Sequence, residues 1–211
     1  AAYSLYGGLS AVAWTDIIQV VVLVLGGLVT TYLALDTVSR GEGFLEGLNT
    51  IYKAVPERFD MILEKSNPEY MNLPGIGVLI GGMWIANLYY WGFNQYIIQR
   101  TLAAKSLEES QKGILFAAGL KMIIPLIVVI PGIAAYVIVN DPTLLSPLGE
   151  AGMQNLPSTE QADKAYPWLM QFLPTGLKGV AVAALAAAIV SSLASMLNST
   201  ATIFTMDIYK Q

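Results

Sequence analysis

Charged and polar side chains stand at separate places inside stretches that are otherwise Leu, Ile, Val, Ala and Gly. They are Asp16, the amides Asn87, Asn94, Gln95 and Gln99, Lys121, and a file of hydroxyls at Ser191, Ser192, Ser195, Ser199 and Thr202. In hydrocarbon an amide without a hydrogen bond costs several kcal/mol, so each group needs a partner. A charged residue at that depth marks an ion or substrate path by default.

The densest cluster is 84–100. On helical spacing Asn87, Tyr90, Trp91 and Asn94 fall at i, i+3, i+4 and i+7, which is one face. An amide, an aromatic plate and a second amide suit a ligand with hydroxyls on its edge and C–H groups on its faces, such as a sugar. The same residues also serve as an interfacial aromatic belt with amide bonds between helices. Lys121 either snorkels to the membrane surface or meets a carboxylate or polar ligand, and its three donors would suit sugar hydroxyls. Ala188, Ser191, Ser192, Ser195, Ser199 and Thr202 fall within about one face. Small residues in a stripe make a packing seam, but hydroxyls beside backbone carbonyls also supply oxygen ligands to a hard cation such as sodium. Asp16, with Gln19 one turn on, lies either near the membrane surface or on a cation path.

The elements that would carry these residues are four apolar runs, placed as spans at 8–36, 74–100, 113–139 and 178–206. Each reaches the roughly 20 residues that cross about 30 Å of hydrocarbon as a helix. The chain is 55% hydrophobic and 12% charged, where soluble domains are about 25% charged. The expected fold is therefore an all-α, polytopic membrane bundle. Gly75, Gly77, Gly81 and Gly82 weaken the second span and predict a half-helix break around 81–90, a device that presents backbone to a ligand at mid-membrane. The loop 101–112 is short and basic and is placed in the cytoplasm, which puts connections 37–73 and 140–177 outside, the first with a short surface helix over 43–54. The first span then runs outward and the fourth inward, so Asp16 and 195–202 share the cytoplasmic half. There Asp16 would hold a negative potential on a cation's exit path.

No Cys or His is present, which excludes disulfides, zinc sites and His-based catalysis. A net charge of −4 does not suggest a nucleic-acid partner. An enzyme would need a nucleophile with its base, and a channel rings of like charge or a filter loop; neither pattern is visible. The chain reads as an internal fragment of a longer, transporter-sized protein.

The run Gly7-Gly8-Leu9-Ser10-Ala11-Val12-Ala13-Trp14-Thr15-Asp16-Ile17-Ile18-Gln19, then Asn94-Gln95 through Gln99-Arg100, then Ala188 with Ser191-Ser192, resembles the sodium:solute symporter family over the whole chain. It looks most like the family's bacterial sugar carriers. The resemblance implies a fragment of a leucine-transporter-like bundle, two inverted repeats of five helices. This piece would hold the fifth helix of the first repeat and the first three of the second, with the remaining helices absent. It implies that Asn87 and Lys121 hydrogen-bond a monosaccharide such as galactose or glucose, that Tyr90 stacks on its ring as the inner gate, and that Trp91 supports Tyr90. Sodium would be held by the Ala188 carbonyl and the Ser191 and Ser192 hydroxyls, and the protein would work by alternating access in the lipid bilayer of a bacterial inner membrane. Other cargoes that the family fold could serve are an amino acid or sialic acid. A channel or structural membrane subunit is the reading from another class.

Overall fold

The computed structural model describes residues 2–73, 75–154 and 156–210. Helices and turns account for all its regular structure, and among the described residues there is no strand, so the chain is all-α. Helix α1 is Ala2–Val38, with Gly8 out of helical geometry at φ 54°. After it come α2 (Phe44–Ala54), α3 (Met83–Leu88), α4 (Gln95–Leu102), α5 (Leu107–Lys121) and α6 (Ile124–Asn140). Short helices α7 (Pro142–Leu145), α8 (Gly149–Met153) and α9 (Ala165–Met170) lead to α10 (Thr175–Ile203). Among the described residues three helical stretches are long and apolar enough to cross a membrane: Tyr6–Val38, Leu107–Asn140 and Thr175–Tyr209.

The chain divides into two compact units. One comprises Gln19–Phe59 and Gly119–Ala186. Its core is Leu35 and Val38 of α1, Ile51 of α2, Ile133, Ala134, Ala135, Val137 and Ile138 of α6, Leu144 of α7 and Trp168 and Leu169 of α9. Helix α2 stands where a surface helix was expected. Close approach there depends on Gly47, because a Cβ at this position would run into the Leu35 carbonyl. Helices α1 and α6 meet through Gly27, where an added Cβ would lie 2.9 Å from Ile127, and through Thr31, whose hydroxyl reaches the carbonyls of Gly27 at 2.8 Å and Leu126 at 2.9 Å. The indole N–H of Trp168 donates to the Gly152 carbonyl at 3.1 Å.

Helix α1 ends in this unit without a glycine. Arg40 takes the left-handed conformation at φ 58°, with Gly41 N–H returning to the Asp36 carbonyl and Arg40 N–H to that of Thr37. This is the Schellman closure, which glycine usually supplies. A side chain there costs about 1 kcal/mol, and the Arg40 guanidinium offsets it by donating to Thr143 Oγ1 at 2.6 Å.

The other unit comprises Ala1–Ile18, Asp60–Ala118 and Ala187–Gln211. It contains most of the span placed at 74–100, whose first residue, Pro74, lies outside the described residues. Residues 76–93 are helical, with α3 flanked by π-turns at Val78–Gly82 and Tyr89–Phe93. The break expected at 81–90 is instead at Asn94, where φ is −80° and ψ is 111°. Glycine weakens a helix without ending it, and Gly82 stays helical at φ −68°. Asn94 ends it because its side-chain oxygen accepts the Tyr96 N–H at 3.1 Å and so starts α4.

The basic loop placed at 101–112 is shorter than expected, since α5 begins at Leu107. Ser106 and Glu109 have the spacing of a capping box, and Ser106 Oγ accepts the Glu109 N–H at 3.2 Å. The span expected at 113–139 is two helices, α5 and α6, with Met122 and Ile123 between them and a proline in the first turn of α6.

Candidate functional site

Within this second unit, α1, α4 and α10 bring polar side chains together. Asp16 Oδ2 accepts from Arg100 Nη2 at 2.5 Å, and Asp16 Oδ1 accepts from the Ser191 hydroxyl. The same Arg100 nitrogen donates to Ser195 Oγ at 2.7 Å. Gln99, beside Arg100, donates from Nε2 to the Ser195 carbonyl at 3.3 Å and accepts from Asn198 Nδ2 at 3.3 Å. Two consecutive side chains of α4 are thereby fastened to α10.

Burial separates the members. Ser191, Ser195 and Gln99 are buried, whereas the side chains of Asp16 and Arg100 keep 24% and 33% of their exposure. The ion pair thus lies at the edge of what this chain covers, while the hydroxyls beside it are enclosed by it. A carboxylate, two hydroxyls and a backbone carbonyl are hard oxygen donors suited to an alkali cation. A hydroxyl that donates its hydrogen to Asp16 also keeps its lone pairs for a cation. Among the described residues no group of three or more His, Cys, Asp or Glu could hold a transition metal.

Of the residues expected to bind sodium, Ser191 joins Asp16. Ala188 and Ser192 stand next to it on α10, both partly buried. The residues expected to bind a ligand occupy a different stretch. Asn87, exposed on α3, donates from Nδ2 to the Met83 carbonyl at 2.8 Å. Tyr90 and Trp91 sit edge to face with ring centroids 5.1 Å apart, in the π-turn before Asn94. Lys121 ends α5 and belongs to the unit described first.

Arg100, Gln99 and Ser195 are the members that residue types alone did not assign to Asp16. The available signal was charge: Asp16 in one apolar run requires a partner, and Arg100, Lys121 and Lys178 are the cations at or within the other runs. Spacing does not choose among these three, because the choice depends on how α4 turns after Asn94.

Comparison with known proteins bears on what such an arrangement serves. The chain is 69% identical over 209 residues to the sodium/glucose cotransporter of Vibrio parahaemolyticus, covering 99% of this chain and 38% of that protein. It is 36% identical over 224 residues to the human sodium/myo-inositol cotransporter 2, covering 99% and 32%. With the bovine sodium/mannose cotransporter the figures are 33% over 231 residues, 100% and 37%. The chain therefore spans about a third to two-fifths of the length of these relatives. The family model described as "Sodium:solute symporter family" matches residues 1–211, and the chain belongs to that family.

Proposed function

We propose that the full-length protein is a sodium-coupled symporter of a monosaccharide, galactose or glucose, working by alternating access in a bacterial inner membrane. The observation that carries this reading is the 69% identity to a sodium/glucose cotransporter along nearly the whole chain. The other relatives compared are named for mannose and myo-inositol. All three named cargoes are polyhydroxylated rings, which favours this class over amino acids or sialic acid.

In this reading Asn87 and Lys121 hydrogen-bond sugar hydroxyls, Tyr90 covers the ring face, and Trp91 braces Tyr90 edge to face. Sodium is cargo, held by the Ala188 carbonyl and the Ser191 and Ser192 hydroxyls, with Asp16 beside its path. The spans carry Asp16 and the end of α10 in the cytoplasmic half, and the rest of the leucine-transporter-like bundle supplies the remaining ligands. One charge crossing 100 mV releases about 2.3 kcal/mol, enough for roughly 50-fold sugar accumulation per sodium.

The test is uptake of labelled galactose and glucose by proteoliposomes holding the full-length protein, with an inward sodium gradient and with choline in its place. Uptake that requires sodium is expected. Equal uptake in choline would end the coupling claim, and no uptake of either sugar would end the substrate claim.

A further inference from the structure

A carboxylate on a cation's path should attract the cation, yet the charge of Asp16 is already matched. Arg100 Nη2 sits 2.5 Å from Asp16 Oδ2 and 2.7 Å from Ser195 Oγ, so one nitrogen bridges the carboxylate of α1 and the hydroxyl of α10. Two cations cannot share those oxygens, since like charges a few ångströms apart repel strongly away from bulk water. The Arg100 side chain remains one-third exposed, so nothing else in this chain closes over it. Guanidinium is also weakly hydrated for an ion and well suited to a reversible ion pair.

We propose that Arg100 is a built-in stand-in cation. It neutralises Asp16 when no sodium is there, and sodium reaching Asp16 and Ser195 expels it. This inference rests on the sodium reading above and adds a coupling role. Arg100 and Gln99 tie α4 to α10, and the other end of α4 is the non-helical Asn94. Directly before Asn94 lies the π-turn that carries Tyr90 and Trp91. From Asn94 to Arg100 is only about 9 Å of helix. Losing the guanidinium contact loosens α4 at one end, and Asn94 is the point at which it can turn. Ion occupancy is thereby passed to the aromatic pair as a two-position change of one short helix.

The experiment measures sodium binding to purified full-length protein in nanodiscs, without sugar and without transport. Arg100→Gln is expected to bind sodium roughly tenfold more tightly, the size of one charged hydrogen bond discounted for exposure. Arg100→Lys keeps the charge and should stay near wild type. Asp16→Asn should bind weakly and be indifferent to Arg100→Gln added to it. Unchanged or weaker sodium affinity in a folded Arg100→Gln protein would overturn the proposal.

A second measurement uses the wild type alone, should that variant not fold. Amide exchange across 95–102 should be faster in sodium than in choline, and equal or slower exchange would overturn the proposal. Sodium binding by a wild type that transports neither galactose nor glucose in the uptake assay would sink the substrate reading and leave this one standing. Sodium-driven uptake with unaltered affinity in Arg100→Gln would sink this one alone.

Discussion

Asn87 and Ser192 carry the two halves of the proposed coupling on separate helices. The Met83 carbonyl holds one amide hydrogen of Asn87 and so fixes the orientation of the group. Asn87→Ala would remove about 1 kcal/mol of neutral hydrogen bonding, which raises the sugar KM about fivefold. Sodium affinity should be nearly kept. Ser192→Ala should do the reverse, raising the half-saturating sodium concentration several-fold by the same logic. Uptake titrated separately in sugar and in sodium checks both; a variant that moved both constants equally would deny the separation. At this scale the sequence displayed each polar residue and the need for partners, but not the pairing of Asp16 with Arg100. That pairing depends on backbone direction, which residue type does not encode.

Among the elements, α2 and α7 make separable claims. Helix α2 lies so close to α1 that Gly47 has no room for a methyl group against the Leu35 carbonyl. Gly47→Ala should therefore destabilise the full-length protein by about 1–3 kcal/mol, read as a lower thermal midpoint in detergent. An unchanged midpoint would mean that the helices can separate at no cost. Helix α7 begins at Asp141, whose carboxylate accepts the backbone N–H of Thr143 at 2.8 Å and its hydroxyl at 2.7 Å. These side-chain and backbone bonds, with Arg40 nearby, hold its pKa below the usual 3.8. A depressed folded pKa stabilises above the unfolded value and loses its effect as pH falls through the folded one. Protection of the 143–145 amides, taken relative to the unstructured exchange rate at each pH, should accordingly fall only below about pH 4, and Asp141→Asn should remove that fall. The helices themselves were legible from apolar length. The exact breaks were not: glycine content pointed to 81–90, whereas the side-chain cap at Asn94 and the prolines and caps around α5 and α6 decided where the chain turns.

At the scale of the whole molecule, the all-α class followed from composition, and family membership rests on the match along the full chain. The chain spans 38% of the length of its Vibrio relative, and in the proposed reading the remaining helices complete the sugar and ion sites. This explains why the sequence could nominate Asn87, Tyr90 and Lys121 without closing a binding site around them. Within this chain the sharper result is electrostatic. Asp16 and Arg100 are one neutral pair in the unit that also carries Tyr90, so any cation entering there meets an exchange rather than an open charge.

Within the polar connection 37–73, Arg58 and Lys65 differ in how a protease can reach them. Arg58 lies in the turn Pro56–Phe59 with its guanidinium 4.3 Å over the ring of Tyr136, while Lys65 stands exposed in a turn between helices. Trypsin must draw out several residues in extended form and bury the basic side chain in its own pocket. Stacking and the tight turn both oppose this at Arg58. Brief digestion of the full-length protein should therefore cut this connection after Lys65 before it cuts after Arg58. Tyr136→Leu should bring the two rates together, and an early cut after Arg58 in the wild type would show that the stacked ring does not hold the connection down.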